Sequence, residues 1–192
     1  MKARSVGMLA ICGVLSLLVI GGPVAQARPE GRHCAVRLDP MSRPKPHVVS
    51  ARLVNIGCFD TLSEAIEAGT GGAVRLPAST APEQLNDTLI AAATVSRVGD
   101  DTLIGTEWNN TGFAGTSMTY MAPNACAGTT FEASYVGDAW NDRFESGKGF
   151  GGCDTNKKFV HSAFGGDVLT CTPNCGDYGS IRNEISSLRW KP

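Results

Sequence analysis

Apolar positions fall into three unlike patterns along this chain. The first is an unbroken apolar run from Val6 to Ile20, placed behind Lys2 and Arg4. The second mixes two periods. Val48 to Ile56 alternates, which predicts one strand. Thr61-Leu62-Ser63-Glu64 reads as a capping box that opens a short helix, with Leu62, Ala65 and Ile66 on its apolar face and Gly69 at its end. A second helix is predicted from about Pro82 to Ala93, with Pro82 in the first turn and Leu85, Leu89 and Ala92 along one side. Residues 28–50 are rich in Pro, Arg and small polar residues, and Pro40, Pro44 and Pro46 predict a linker or extended arm without regular helix or central strand. The third pattern begins after Gly99-Asp100-Asp101, where Thr102 to Trp108 opens a series of strands with regularly placed aromatics.

That last region repeats internally. Trp108, Phe113 and Gly115 recur as Phe159, Phe164 and Gly166, and each copy is followed by a polar loop ending in Ser, at residues 141–146 and 182–187. Two aromatics five residues apart fall on opposite faces of a straight strand, so the hairpin has to fold over for both to pack together. Gly115 and Gly166 supply positions where a positive φ costs nothing. The hairpins are spaced more widely than the loops, so the first unit carries extra residues, placed around Ala122 to Thr130.

Aromatic-x-x-x-x-aromatic-x-Gly followed by an (Asn/Asp)-(Asn/Asp)-x-x-(Ser/Thr)-Ser loop resembles the double Greek key of the beta-gamma-crystallin superfamily. Trp108 to Gly115, the WNDR of residues 140–143 and the SSLRW of residues 186–190 are similar to secreted actinobacterial members grouped with a peptidase-inhibitor family. The resemblance spans residues 100–192. It implies an all-β, crystallin-like sandwich of two four-stranded sheets, behind a small, partly helical N-terminal extension, with calcium held between the two polar loops.

Composition adds compartment and bonding. The apolar run is shorter than the roughly 18–20 residues of a spanning helix, and Ala25-Gln26-Ala27 follows it, so residues 1–27 read as a secretory signal peptide cleaved before Arg28. Residues 28–99 then form the arm and helical extension, a propeptide, a cap or a separate interaction module, and residues 100–192 form a domain expected to fold alone. Every aromatic residue except Phe59 lies at or beyond Trp108, which places the large core residues in that domain. With 17 basic and 18 acidic residues and no like-charge run, nucleic acid and anionic membrane are excluded as partners, and the mature chain is read as a monomer. Cys12 lies in the leader. The remaining six cysteines are expected to form disulfides in an oxidising compartment, formally with fifteen pairings. The short Cys171-to-Cys175 turn pairs its own ends, Cys126 and Cys153 flank the first polar loop, and Cys34 and Cys58 are left to each other. The rival use of His33, Cys34 and Cys58 as zinc ligands lacks close paired spacing.

No nucleophile elbow, zinc-protease helix, phosphate loop or dinucleotide fingerprint is present, and His33, His47 and His161 are scattered, so no catalytic residues are assigned. Two non-enzymatic functions remain. One is a module that binds structural calcium through Asn141, Asp142, Glu145, Ser146, Asn183 and Ser186, since calcium takes six to eight oxygen ligands. Two positions depart from the family pattern. Glu145 stands where a Ser/Thr hydroxyl is expected, and Arg182 stands at the first position of the second loop, where a cation offers no side-chain oxygen. One occupied site is therefore expected. The other function is inhibition of a secreted peptidase by a rigid loop, around Pro123-Asn124-Ala125-Cys126 or between Cys171 and Cys175.

Overall fold

The computed structural model describes residues 33–41, 47–95 and 101–192. Residues 1–27, read as the leader, lie outside the described residues, as do Pro44 and Pro46. Strands β1 (His33–Pro40) and β2 (Val48–Phe59) form an antiparallel hairpin. Helices α1 (Leu62–Gly69) and α2 (Asp87–Ala93) come next. The repeat region then supplies β3 (Thr102–Asn110), β4 (Ala114–Ala122), β5 (Thr130–Ala133), β6 (Ser146–Gly149), β7 (Thr155–Phe159), β8 (Val168–Cys171) and β9 (Ser187–Lys191).

Strand order is β6-β3-β4-β1-β2-β5-β9-β7-β8. In each repeat the first two strands pair as a hairpin and the fourth returns beside the first, β6 to β3 and β9 to β7. The third strand crosses to the other repeat. β5 pairs with β9, and Cys175 forms a bridge with Gly147 of β6. This exchange makes a double Greek key of crystallin-like type. The stretch where extra residues were expected is the connection between β4 and β5, and β4 is itself longer than its counterpart β8.

Two expectations about the N-terminal region change. His33–Pro40, read as linker, is a central strand, because Ala35 and Leu38 are fully buried and Pro40 only ends the run. The hairpin also alters the sheets. β1 runs parallel to β4 and β2 parallel to β5, so the two sheets implied by the resemblance are joined into one continuous nine-stranded ladder. The second helix is likewise shorter than expected. Residues 82–84 make a single 3₁₀ turn, and Asn86 starts α2 by accepting from Leu89 N at 2.8 Å. The first helix forms as read, with reciprocal hydrogen bonds between Thr61 and Glu64. Gly69 ends it where Met121 of β4 lies against the backbone, leaving no room for a Cβ.

The core has two parts. One lies inside the sheet around Leu38, Tyr120, Phe131, Phe144, Leu188 and Trp190. The other lies between the helices and the first repeat, where Leu62, Ile66 and Leu85 meet Leu103, Trp108, Met121 and Phe150. Three disulfides join Cys34 to Cys58, Cys126 to Cys153 and Cys171 to Cys175. Among the described residues no helix is long and apolar enough to cross a membrane.

Candidate functional site

Both hairpins fold over, and the aromatics meet edge to face. Trp108 and Phe113 are 5.5 Å apart between ring centroids, as are Phe159 and Phe164. The fold-over needs more left-handed residues than glycine alone supplies. Besides Gly115 and Gly166, Phe113 and Phe164 adopt φ of 62° and 65°. Phenylalanine tolerates this poorly, so the surroundings must hold it. A serine does so in each copy. Ser146 Oγ donates to Asn110 O at 2.7 Å and accepts from Phe113 N, while Ser187 Oγ donates to His161 O at 2.7 Å and accepts from Phe164 N.

These bonds reassign one residue. Ser146 was counted among the ion ligands, but its hydroxyl is buried and committed to the hairpin in both hydrogen-bonding roles. The rest of the two loops do come together. Asp142 and Asn183, at equivalent places, take left-handed φ of 57° and 58°, a conformation Asx residues accept. Their amides cross between loops, Asp142 N to Ile185 O at 3.2 Å and Asn183 N to Phe144 O at 3.0 Å.

Side-chain oxygens differ in availability. Glu145 accepts from Asn183 Nδ2 at 2.6 Å, a direct link from the first loop to the second. Arg182 turns away from both, pairing with Asp177 at 3.3 Å and donating to Gly179 O. The two departures from the family pattern, Glu145 and Arg182, thus each have a partner of their own. Asn141 and Ser186 are different. Asn141 Nδ2 donates to Asp142 at 2.7 Å, while its Oδ1 is buried with no hydrogen-bond partner. Ser186 Oγ donates to Val160 O at 2.9 Å and keeps its lone pairs. Nearby, Tyr135 donates to Asp138 at 2.6 Å, and its phenol is raised first by that hydrogen bond and further by the charges of Asp138 and Asp142. Of these two carboxylates, Asp142 is the one that accepts from Asn141.

The donor set suits a hard oxygen-seeking cation only in part. Among the described residues no three His, Cys, Asp or Glu side chains converge as a metal cluster. The oxygens the two loops carry are amide, hydroxyl, carboxylate and backbone carbonyl, a set calcium accepts and zinc or copper does not favour.

Sequence reading missed a second polar cluster, buried between β3 and β7. Glu107 and Lys158 are fully buried and hydrogen-bonded to each other, and Tyr178 donates to the other Glu107 oxygen. The pair occupies equivalent positions in the two repeats, 51 residues apart, each just before the first aromatic. That spacing was the available signal. Burial raises the Glu107 carboxyl, with Lys158 opposing the shift, and burial lowers the Lys158 ammonium, with Glu107 opposing. Gly147 makes room here, since a Cβ on it would strike Tyr178 Oη and Glu107.

No protein-family model matches this sequence, and no curated protein matches it. Among solved structures, the chain is similar to a betagamma-crystallin from an archaeon at 22% identity, over 46% of this chain and 98% of that one, with a TM-score of 0.35. It is similar to the N-terminal domain of protein S at 20% identity, over 45% of this chain and 93% of that one, also with a TM-score of 0.35. A variant betagamma-crystallin domain from Clostridium beijerinckii shares 18% identity over 45% of this chain and 97% of that one, again with a TM-score of 0.35. Each likeness covers under half of this chain, and the double Greek key stands on its own strand order and twin folded hairpins.

Proposed function

We propose that this protein is a secreted, non-enzymatic structural module that binds one calcium ion at the paired polar loops, on the Asn141 and Ser186 side. The observation that carries the reading is the Asn141 amide oxygen, buried without a partner in a loop bonded to its repeat mate. A buried acceptor left unpaired is costly, and a cation would remove that cost. Ser186, Asp142 and backbone carbonyls are the further oxygens that the paired loops carry, and Glu145 and Asn183 already satisfy each other across them. Secretion is supported by the leader-like N-terminal sequence and by three disulfides.

Affinity should be about 0.1–1 mM, as in extracellular modules. Adding 10 mM calcium should then stabilise the fold by about 1.4–2.7 kcal/mol. Titration calorimetry and thermal melts with calcium and then with chelator test this, beside an Asn141→Ala/Ser186→Ala variant that should give no heat. Wild-type protein showing neither heat nor a melting shift at 10 mM calcium would defeat the metal reading.

A peptidase-directed loop is the second reading. Pro123 and Asn124 are exposed and sit just before Cys126, which is buried in its bridge to Cys153. The Cys171-to-Cys175 loop is the poorer candidate, since its Pro173 carbonyl accepts from Asn156 Nδ2 at 2.6 Å and from Gly149 N. Near-stoichiometric inhibition in a panel of secreted proteases would favour this reading.

A further inference from the structure

The repeats place a cation over the second aromatic of each folded hairpin. Lys148 of β6 and Arg189 of β9 are equivalent, opposite Thr106 and Lys157 in their ladders. The Lys148 ammonium lies 4.5 Å from the Phe113 centroid, and the Arg189 guanidinium lies 4.6 Å from that of Phe164 and 5.4 Å from that of Phe159.

The cover over the two cations differs. Lys148 donates to three backbone carbonyls of one turn, Pro82 O and Glu83 O at 2.9 Å and Leu85 O at 3.0 Å. The same turn buries Leu85 to 1% exposure beside Trp108 and Phe113. A short peptide thus caps the first hairpin through convergent carbonyls and one leucine, and the charge of Glu83 opposes the burial that lowers the Lys148 ammonium. Over the second hairpin, Arg189 pairs among the described residues with Glu132, with Nε 2.6 Å from the carboxylate. An open groove of about 460 Å³ lies there, with Thr130, Glu132, Phe164, Arg189 and Lys191 in its walls. Its two cations face one carboxylate, which leaves the groove positive.

We propose that this groove docks an acidic, leucine-bearing turn of a partner protein, in the way residues 82–85 dock over the first repeat. Half-buried Phe164 offers an apolar wall for the leucine. The remaining guanidinium donors suit carbonyl or carboxylate oxygens, since the planar fork presents several N–H groups at once. A second copy of this chain is a poor occupant, because its own turn is held by its own Lys148. The site shares no side chain with the calcium loops, so the two proposals fail independently.

The probe is a blocked synthetic peptide of residues 80–87, TAPEQLND, titrated into isotope-labelled mature protein without calcium. Saturable amide shifts are expected at Thr130, Phe164, Arg189 and Lys191, with a Kd of about 1 mM. A Glu83→Lys peptide should bind about fivefold more weakly or worse. Arg189→Gln should abolish the shifts. Because that change also removes a ring contact, Thr130→Trp, which fills the groove from its rim, should abolish them in a protein whose Arg189 is intact. The proposal is overturned if wild type shows no saturable shifts, if Thr130→Trp binds as wild type does, or if the shifts centre on Lys148, which would report displacement of the resident turn.

Discussion

Replacing Lys158 with methionine isolates a carboxylate at the centre of the molecule. Glu107 and Lys158 have no exposed side-chain surface, so neither can recover its hydration when the other is removed. Deleting one member of such a pair costs about 3–5 kcal/mol. The lower end applies here, about 3 kcal/mol, because Met fills most of the lysine stem and Tyr178 still donates to Glu107. The pH dependence has a definite sign. Burial raises the Glu107 carboxyl, and the charge and hydrogen bond of Lys158 are what oppose it, so the variant carboxyl moves further up. A carboxyl raised above its unfolded value contributes stability that is fully present below that value, about 4.3 for glutamate, and is lost as pH rises through the folded value. The deficit of Lys158→Met relative to wild type should therefore shrink as pH falls from 7 towards 5. Urea unfolding at both pH values measures it. A Glu107→Gln/Lys158→Met double variant should recover about 2 kcal/mol, since a neutral amide oxygen still accepts from Tyr178. A loss at pH 7 of under about 1 kcal/mol, the worth of an exposed pair, would refute the reasoning, as would a deficit that grows on acidification.

Lys148→Met removes the ammonium that holds three carbonyls of the 82–85 turn, and should destabilise by about 2–4 kcal/mol with earlier proteolytic cleavage within residues 77–95, read by limited digestion and mass spectrometry. Deleting everything before Asp101 leaves β4 and β5 without the parallel strands between them, so the cooperative melt of the full chain should be lost. A truncated chain melting cooperatively within a few degrees of the full one would show that the repeat region stands without the hairpin.

The repeat region was legible because folded hairpins carry a dense local signature. Two aromatics and a glycine at fixed spacing specify a local shape, and the matching loop serine closes it. Nothing in that signature assigns the serine its partner, so Ser146 read as an ion ligand rather than as a hairpin clamp. The capping box at Thr61 was equally legible, being a bond between neighbours in sequence. Long-range pairing was not. His33–Pro40 is short and bounded by prolines, and only its register against Ser117 to Met121 makes it a central strand. The Glu107–Lys158 pair lay between these cases. Its spacing repeats that of the hairpins, yet opposite charges on separate strands ordinarily indicate solvated faces, and burial is a property of the assembled sheet.

The N-terminal residues treat the two repeats unequally, and this asymmetry arises from chain geometry. The β1–β2 hairpin bonds to both, filling the gap between β4 and β5 and covering edges that would otherwise invite strand pairing from other molecules. Among the described residues, the helical segment after the hairpin builds its apolar cluster on the first repeat. Helix α1 packs on β1, β2 and β4, and the apolar cluster it completes draws Leu103, Trp108, Met121 and Phe150 from the first repeat or its border. The first folded hairpin is therefore covered by the chain's own turn, while the second keeps the same cation-over-phenylalanine arrangement with an open groove above it. The repeat makes the two faces alike, and the extension distinguishes them. Contact with another protein through the repeat region would accordingly fall on the second repeat.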